Sequence, residues 1–333
     1  MKKQNSAITR DRLEQIIAQM QKKKLLVVGD LMFDQFIYGS VSRISPEAPV
    51  PVVQVTKEVS FPGGAANVGR NLADFQIPCE LCGLVGNDRD GDRLLSLIEE
   101  EHIGIKGILR EDDYVTTRKT RIIARNQQVV RVDREVPYTI SLFHLAKLRS
   151  FLEKEIAEVD AVIIEDYGKG FITQALVKEL VEIAKKYKKI ITVDPNSYNP
   201  LDWEGVTVVK PNRAEAFTVL NIPPQTGRGM MRQIGEQLLA RWKVPHVLLT
   251  MGEDGMLLFE VGKEPYHIPT CAREVFDVSG AGDTAIAFFT ATMASGCPAS
   301  EAAEVANLAA GVVVGKLGTA TITPQELLDA VNP

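Results

Sequence analysis

The sequence is poor in cysteine and histidine and has no long apolar run. Four cysteines among 333 residues do not form the disulfide framework of a small secreted protein. No apolar run reaches the roughly 18 residues of a membrane-spanning helix, and residues 1–21 are polar and charged, unlike a secretory signal. The net charge of -5 offers no basic surface for nucleic acid. We therefore expect a cytoplasmic protein that binds neither membranes nor nucleic acids.

Cys79 and Cys82 have the C-x-x-C spacing that zinc and redox sites use. They fall in residues 78–85, which have the composition of a strand, so that residues three apart face opposite sides. No second C-x-x-C and no nearby histidine completes a metal site. We interpret both cysteines as small core residues.

Short apolar segments alternate with segments of helical periodicity along most of the chain. This alternation predicts an α/β fold with a doubly wound, mostly parallel sheet flanked by helices. Polar residues recur where the predicted strands end, which is where parallel sheets place their ligands. These residues are Asp30, Glu165, Asp166, Asp194, Asn212 and Glu215. Their recurrence predicts a single polar crevice along one edge of the sheet.

Two segments are expected to form a small protruding β-sheet lid. Residues 36–55 are rich in β-branched and aromatic residues, but they contain prolines that confine them to edge strands. Residues 116–124 and 129–133 resemble an antiparallel pair. We expect the lid at about 35–57 and 115–133, within a main domain that spans 24–333 and follows an N-terminal helical extension at 1–23.

Residues 277–283, with the sequence DVSGAGD, lead directly into an apolar segment that predicts a buried helix. Gly280, Ala281 and Gly282 let the backbone approach a ligand closely, and the amides and dipole of a helix N-terminus favour an anion such as phosphate. Asp283 would repel phosphate, so we interpret it as the base that deprotonates the attacking group. An ordinary glycine-rich turn capped by aspartate is the alternative.

Residues 62–73, with the sequence PGGAANVGRNLA, form a second predicted junction between a turn and a helix. Gly63 and Gly64 permit close backbone approach. The side-chain amide of Asn67 can both donate to and accept from a polyol. Helix capping and tight packing explain this segment equally well.

An anion-binding turn, a base and several carboxylates in one crevice fit phosphoryl transfer to a hydroxyl group. That reaction also needs a divalent metal, and Asn212 and Glu215, spaced N-x-x-E, suit water-mediated binding of Mg²⁺. A helix cap explains the same spacing. The common nucleotide motifs are absent, because no G-x-G-x-x-G follows the first strand and residues 311–317 lack the Walker spacing.

Taken together, these motifs resemble those of the ribokinase-like (PfkB) sugar kinases. Residues 62–73 and 277–283 are similar to the two hallmark motifs of that family and N-x-x-E to a third, in the right order across residues 24–333. Further segments resemble the kinase portion of the heptose-7-phosphate kinase/adenylyltransferase family. They are GDLMFD at 29–34, SRISPEAPVPVV at 42–53, RNQQ at 125–128, DYGKG at 166–170 and GKLGT at 315–319.

The resemblance implies a kinase that uses ATP and Mg²⁺ to phosphorylate the anomeric hydroxyl of D-glycero-D-manno-heptose 7-phosphate. The 1,7-bisphosphate would serve ADP-heptose and lipopolysaccharide core synthesis. Because the sequence contains no H-x-G-H nucleotidyltransferase motif, the resemblance implies a kinase only, followed by a separate adenylyltransferase. It also implies a homodimer formed through the lid, and it leaves a requirement for a monovalent cation open.

The resemblance also implies roles for individual residues. Asp283 would be the base, and the amides of Gly280, Ala281 and Gly282 would stabilise the transferring phosphoryl group. The implied sugar ligands are Asp30, Gly63, Gly64, Asn67 and Asp283. The implied nucleotide ligands are Asn212, Glu215, Thr250, Gly252 and Asn307, the first two holding the metal through water. The candidates for binding the distal phosphate are Arg43, Arg125 and Lys169, which could instead be solvated lid charges.

One departure from the heptose kinases concerns Asn196, which stands where a lysine usually follows Asp-Pro. This leaves the preference for a 7-phosphate open. The alternatives are a ribokinase-like kinase of another sugar or sugar phosphate, and a catalytically silent sugar- or nucleotide-binding regulator on the same fold. Retention of Asp283 argues against the regulator, because binding alone does not need a base.

Overall fold

The computed structural model describes residues 8–125, 127–224, 228–272, 275–316 and 318–331. The strands, in chain order, are β1 (Leu25–Gly29), β2 (Leu31–Ile44), β3 (Pro51–Gly64), β4 (Cys79–Gly86), β5 (Gly104–Glu111), β6 (Thr117–Ala124), β7 (Gln127–Arg134), β8 (Ala161–Glu165), β9 (Ile190–Asp194), β10 (Val208–Val209), β11 (His246–Thr250), β12 (Met256–Glu260) and β13 (Tyr266–Ile268). The helices are α1 (Arg10–Met20), α2 (Ala65–Asp74), α3 (Arg89–Glu100), α4 (Leu142–Glu158), α5 (Gln174–Tyr187), α6 (Arg213–Val219), α7 (Arg228–Trp242), α8 (Ala281–Ala294), α9 (Ala299–Val313) and α10 (Pro324–Val331).

Nine of the described strands form the large sheet, in the order β13-β12-β11-β10-β9-β8-β1-β4-β5. The pairs from β11 to β5 are parallel, and β12 and β13 add an antiparallel edge. Every residue of β1 and β8 is buried, as expected for parallel strands covered on both faces. The predicted α/β fold with a mostly parallel sheet is confirmed.

A separate four-stranded sheet, in the order β3-β2-β6-β7, forms the lid. The hairpin of β2 and β3 leaves the body after β1 and returns directly into α2, while β6 pairs in parallel with β2. The predicted lid is confirmed, although its hairpin is longer than expected and reaches back to Gly64. Residue 126 of the RNQQ motif and residue 317 of the GKLGT motif lie outside the described residues.

Three elements differ from the sequence-based expectation. The edge strand β5 was not predicted, because its residues are mostly half-buried and include charged side chains that break the apolar pattern. The short helix α6 was expected only through the helix-cap alternative for N-x-x-E, since its 7 residues are too few to show a clear periodicity. Strand β10 covers only Val208–Val209, whereas the run of β-branched residues that begins at Val206 predicts a strand over 206–210.

Helices cover both faces of the large sheet and create two main apolar cores. One core lies beneath α4, α5 and α7, and the other beneath α1, α2, α8 and α9. Cys82 belongs to the first core and Cys79 to the second, which confirms that they are core residues on opposite faces, and both are free thiols. Among the described residues, no helix has the length and apolarity needed to cross a membrane.

Candidate active site

A cavity of about 990 Å³ opens where β8, β9, β10 and β11 end, beside the N-terminus of α8. Parallel strands end at the same edge of a sheet, so polar residues that are distant in sequence meet there. The cavity brings together most of the residues singled out in the sequence. They are Glu165, Asp166, Asp194, Asn212, Glu215, Thr250, Gly252, Gly280, Ala281, Gly282, Asp283 and Asn307.

The N-terminus of α8 has the form expected of an anion-binding turn. Gly280 has a φ of 81°, in the left-handed region that favours glycine, and a Cβ there would lie 2.9 Å from Nδ2 of Asn67. A Cβ on Gly282 would lie 3.5 Å from Nζ of Lys210, a lysine that is only 3% exposed, and 3.6 Å from Oδ2 of Asp194, the ion-pair partner of that lysine. The amide end of α8 therefore lies next to a buried ammonium group. Both favour an anionic ligand.

Asp283 lies in the first turn of α8 and is 6% exposed. Asn67 donates from Nδ2 to one of its carboxylate oxygens at 2.7 Å, and Tyr167 donates its hydroxyl to the other at 2.7 Å. Burial raises the pKa of Asp283 to about 6, against the two hydrogen bonds, which lower the pKa. Asp283 is therefore a carboxylate that can accept and release a proton near neutral pH, as a general base must.

Asp30 has contacts different from those expected of a sugar ligand. Its carboxylate accepts backbone hydrogen bonds from Tyr167 at 2.9 Å, Lys169 at 3.1 Å and Phe171 at 3.1 Å. These bonds hold the loop after β8, which carries Tyr167 to Asp283. The observed contacts of Asp30 are structural, and a direct contact with sugar stays a prediction.

Asp34 is a candidate ligand that the sequence analysis did not single out. It is 5% exposed, forms an ion pair with Arg121 of β6, and lies so close to Gly63 that a Cβ there would be 2.0 Å from its carboxylate. Gly64 has a φ of 61° and packs against the Asp30 carbonyl, where a Cβ would be 2.4 Å away. The register of β2 against β3 creates this arrangement, and the sequence alone does not specify that register.

Asn212 and Glu215 form the helix cap that was the alternative interpretation of N-x-x-E. The Asn212 side chain accepts from the Glu215 amide at 2.9 Å, and the Glu215 carboxylate accepts from the Asn212 amide at 2.7 Å. Both residues nevertheless line the cavity. Burial and the nearby charge of Asp194 raise the pKa of Glu215 to about 7. A cation near Glu215 would favour its charged form.

Three carboxylates, those of Glu165, Asp194 and Asp283, place oxygen atoms within 4.8 Å of one another beneath the cavity. Lys210, which the sequence analysis also missed, lies 2.7 Å from Asp194 and offsets part of this charge. One oxygen of Glu165 has no hydrogen-bond partner among the described residues. Burial, followed by the charges of Asp194 and Asp283, raises the pKa of Glu165 well above its usual range. This acidic floor, with an oxygen left without a partner, fits a divalent cation carried by a nucleotide.

The opposite end of the cavity is less polar. Asn307 donates from Nδ2 to the Pro269 carbonyl at 2.9 Å. Gly252 has a φ of 61°, and no atom of a described residue lies within 4 Å of where its Cβ would be. Its apolar lining residues include Met251, Ala272, Val275, Ala310 and Val314. A flat, apolar ring such as a purine base suits a wall of this composition.

The three cations predicted for a distal phosphate do not lie together. Arg43 lies at the exposed end of β2, nine residues beyond Asp34, which is roughly 30 Å along a strand. Arg125 is also exposed and donates to the Val41 carbonyl at 2.9 Å. Within this chain, neither arginine lines the cavity that holds Asp283. Lys169 is nearer, because it belongs to the same loop as Tyr167, and it pairs with Glu135 at 2.7 Å.

The chain matches one protein family and resembles individual curated proteins over most of its length. The family described as pfkB family carbohydrate kinase matches residues 22–326. The bifunctional protein HldE of Desulfatibacillum aliphaticivorans is 40% identical over 304 residues, which cover 91% of this chain and 62% of the relative. HldE of Geotalea uraniireducens (strain Rf4) is 38% identical over 323 residues, or 97% and 66% of the two chains. The chain thus spans somewhat less than two thirds of the length of these curated relatives.

Solved structures show the same fold at low sequence identity. Ribokinase of Arabidopsis thaliana, complexed with ribose and ATP, superposes with a TM-score of 0.71 at 19% identity, covering 93% of this chain and 99% of that one. Ribokinase of Thermotoga maritima gives a TM-score of 0.70 at 20% identity, covering 93% and 100%. With the family match over most of its length, the chain belongs to the pfkB family of carbohydrate kinases, which are phosphotransferases with an alcohol group as acceptor.

Proposed function

We propose that the protein transfers the γ-phosphoryl group of ATP to the anomeric hydroxyl of D-glycero-D-manno-heptose 7-phosphate. The product would be the 1,7-bisphosphate, a precursor for ADP-heptose and the lipopolysaccharide core. The observation that carries the kinase chemistry is the position of Asp283 in the first turn of α8, where a base and an anion-binding helix end share one cavity. The relatives named HldE, at 38–40% identity, support the heptose substrate.

In the proposed reaction, Asp283 takes the proton of the sugar hydroxyl while that oxygen bonds to the γ-phosphorus and the bond to ADP breaks. Asn67 holds one carboxylate oxygen, and Arg70 holds Asn67 in turn by donating to its side-chain oxygen at 3.2 Å. The other carboxylate oxygen, which now accepts from Tyr167, is the one nearest the loop after β8. The sugar hydroxyl would approach this second oxygen.

Negative charge on the transferring group would be stabilised by the amide end of α8, formed by Gly280, Ala281 and Gly282. Lys210 lies directly beneath this end, near Gly282. A buried ammonium and a helix end act more strongly in a water-poor cleft than in bulk water. Fixed positive groups at this point lower the barrier to phosphoryl transfer.

ATP would occupy the cavity with its base at the apolar end, near Asn307, Thr250 and Gly252. Mg²⁺ bound to the nucleotide would neutralise phosphate charge. Asn212 and Glu215 would hold it through water, and the partnerless oxygen of Glu165 in the acidic floor is consistent with a cation nearby. The proposal leaves open whether turnover requires a monovalent cation.

The sugar would lie between the lid and the N-terminus of α2, against Gly63, Gly64 and Asn67. We infer that Asp34 accepts hydrogen bonds from its hydroxyl groups, because its buried carboxylate lies at the junction of lid and body. Asp30 would act by fixing the loop of Tyr167 and Lys169.

A homodimer formed through the lid is part of the proposal. Its support is a set of exposed apolar side chains on the lid, which monomers rarely display together. These are Ile44, Val50, Val55, Val129, Val130 and Val132, each 41–60% exposed. A separate adenylyltransferase would use the product of the reaction.

The test is ADP release with Mg²⁺-ATP against heptose 7-phosphate, unphosphorylated heptose, fructose 6-phosphate, fructose 1-phosphate and ribose. Turnover confined to heptose 7-phosphate supports the proposal. Turnover on another sugar would support the kinase activity and reject heptose 7-phosphate as the substrate. Asn196 makes this outcome worth testing, because its side chain accepts from the Tyr198 amide and supplies no cation. Sugar binding without any turnover would indicate the silent regulator.

A further inference from the structure

One face of the lid, here called the inner lid face, is turned toward the body of the protein. Strand register places Lys119 and Arg121 of β6 beside Asp34 and Phe36 of β2, and directly paired residues share a face. Arg70 of α2 stacks on Phe61 of β3, with its guanidinium carbon 4.9 Å from the ring centre. Since Phe61 pairs with Asp34, this contact shows that the face carrying Asp34 is the inner one.

The cations around this face differ in whether they have a carboxylate partner. Arg121 pairs with Asp34, Arg131 of β7 pairs with Asp133 at 2.9 Å, and Lys169 pairs with Glu135 at 2.7 Å.

Lys119 differs from these three cations. Although this lysine is half-buried, its ammonium group has no hydrogen bond or ion pair with any residue in the described part of the chain. Lys119 pairs in register with Asp133 of β7, and Lys169 contacts Glu135 two residues farther along, so the two lysines lie near each other at this face. Burial lowers the pKa of Lys119 and the positive charge of Lys169 lowers it further, against the charges of Asp133 and Glu135, which raise the pKa.

A half-buried ammonium group without a partner, next to a second one, is an unfavourable arrangement that an anion would relieve. Phosphate monoesters suit such a pair, because their oxygens can accept from both lysines at once, and lysine is a common point-charge ligand of phosphate. Lys119 and Lys169 come from opposite sides of the cleft, one from the lid and one from the loop after β8. An anion held by both would therefore draw the lid and the body together.

The loop after β8 relates this lysine pair to the base. Tyr167 of that loop contacts Asp283, and Lys169 follows two residues later. The Cα atoms of residues two apart lie at most about 7 Å from each other, a separation on the scale of one sugar molecule. A sugar whose reacting hydroxyl lies at Asp283 can therefore extend its far end toward Lys169 and Lys119.

We propose that Lys119 and Lys169 form the site for a phosphate monoester at the end of the sugar opposite the hydroxyl that Asp283 deprotonates. The inference rests on the proposed kinase function and replaces Arg43 and Arg125 as ligands of that phosphate. It names the residue that distinguishes a phosphorylated from an unphosphorylated sugar, namely Lys119.

The chain provides a matched control in Lys57. This lysine pairs with Tyr38 on the inner lid face, and among the described residues its ammonium group too has no ion pair or hydrogen bond. It differs from Lys119 in being exposed, and it borders a separate cavity of about 340 Å³. A general effect of removing one lid charge would appear in both variants, whereas loss of a phosphate ligand would appear only at Lys119.

The experiment compares Lys119→Met with Lys57→Met, since methionine keeps most of the apolar stem of lysine. We expect Lys119→Met to raise KM for heptose 7-phosphate by about 10- to 100-fold, the value of one charge-assisted hydrogen bond, and to leave the constants for unphosphorylated heptose unchanged. Lys57→Met should change neither. Calorimetric titration of each sugar without ATP should show the same contrast in binding.

A double-mutant cycle with Lys169→Met extends the test. Because both lysines would bind one phosphate, the combined loss should differ from the sum of the two single losses. Thermal unfolding checks the fold. Lys119→Met should be no less stable than the parent, since it removes an unpaired charge, and Lys119→Gln is the second variant if the first unfolds.

Three results would each overturn the inference. They are an equal loss of affinity for both sugars in Lys119→Met, no loss for either sugar, and a Lys57→Met variant that discriminates between the two sugars. If the parent protein turns over a different phosphorylated sugar, the heptose assignment fails, and the same contrast is measured with that sugar and its unphosphorylated form. If the parent prefers an unphosphorylated sugar, the lysine site is rejected while the kinase assignment stands. The two proposals can therefore fail separately.

Discussion

Tyr167 donates its hydroxyl hydrogen to Asp283 at 2.7 Å, on the carboxylate oxygen that Asn67 does not contact. Burial and the charge of Asp283 raise the pKa of Tyr167 well above its usual range, so the phenol stays protonated and acts as a donor. The base is thus held from two sides, by α2 of the body and by the loop that Asp30 fixes.

Replacing Asp283 by asparagine should remove the base and preserve the shape of the site. Loss of a general base typically costs about 10²- to 10⁴-fold in rate, so kcat should fall by this factor while the dissociation constant of the sugar changes little. Steady-state kinetics with calorimetric binding of the sugar measures both quantities. Unchanged turnover would show that another group takes the proton.

The pH dependence of kcat/KM should report the ionisation of Asp283. Its pKa is raised to about 6, and the base works only when charged, so kcat/KM should fall as pH decreases through about 6. Tyr167→Phe removes a hydrogen bond that lowers this pKa. The acidic limb of the profile should therefore move to higher pH.

The control for this substitution is Tyr198→Phe, because Tyr198 is 91% exposed. Its profile should match that of the parent. An acidic limb that moves to lower pH in Tyr167→Phe, or does not move, would contradict the role of Tyr167 as a donor to the base.

Lys210 should contribute to both stability and turnover. Lys210→Met leaves the buried carboxylate of Asp194 without its cation, and breaking a buried pair in this way costs about 3–5 kcal/mol. The free energy of unfolding from urea titration should fall accordingly, and kcat should fall because the helix end loses its neighbouring charge. Lys243→Met, which breaks an exposed pair with Glu204, is the control and should barely change stability. Equal unfolding curves for the two variants would refute the buried pair.

Gly280 can be compared with Gly296, the glycine just beyond the C-terminal end of α8. Both have positive φ, 81° and 92°, so alanine at either position carries a similar strain of about 1–2 kcal/mol. Only at Gly280 would the new Cβ meet Asn67, whereas at Gly296 no atom of a described residue lies within 4 Å of the new Cβ. Gly280→Ala should lose at least about 10-fold in kcat/KM by displacing the ligand of the base.

Gly296→Ala should retain activity at the same measured stability. Matched activity losses in the two variants would mean that backbone strain, and not contact with Asn67, accounts for the effect at Gly280.

The sequence determined the fold and the general location of the site. Apolar strands alternating with helices require a covered parallel sheet, and residues that end such strands must meet at one edge. Asp194, Asn212, Glu215 and Asp283 were therefore expected together, and they line one cavity. Local patterns are sufficient here, because strand ends and helix starts depend on neighbouring residues.

The tertiary structure alone decided which side chains contact one another. Asn67 and Tyr167 reach Asp283 across 216 and 116 residues of sequence, and Lys210 meets Asp194 through the pairing of neighbouring strands. Asp34 lies beside Gly63, while the Asp30 carboxylate accepts hydrogen bonds from the distant loop after β8. Such contacts depend on strand register and on the path of loops, which are properties of the whole packed chain, so no local pattern encodes them.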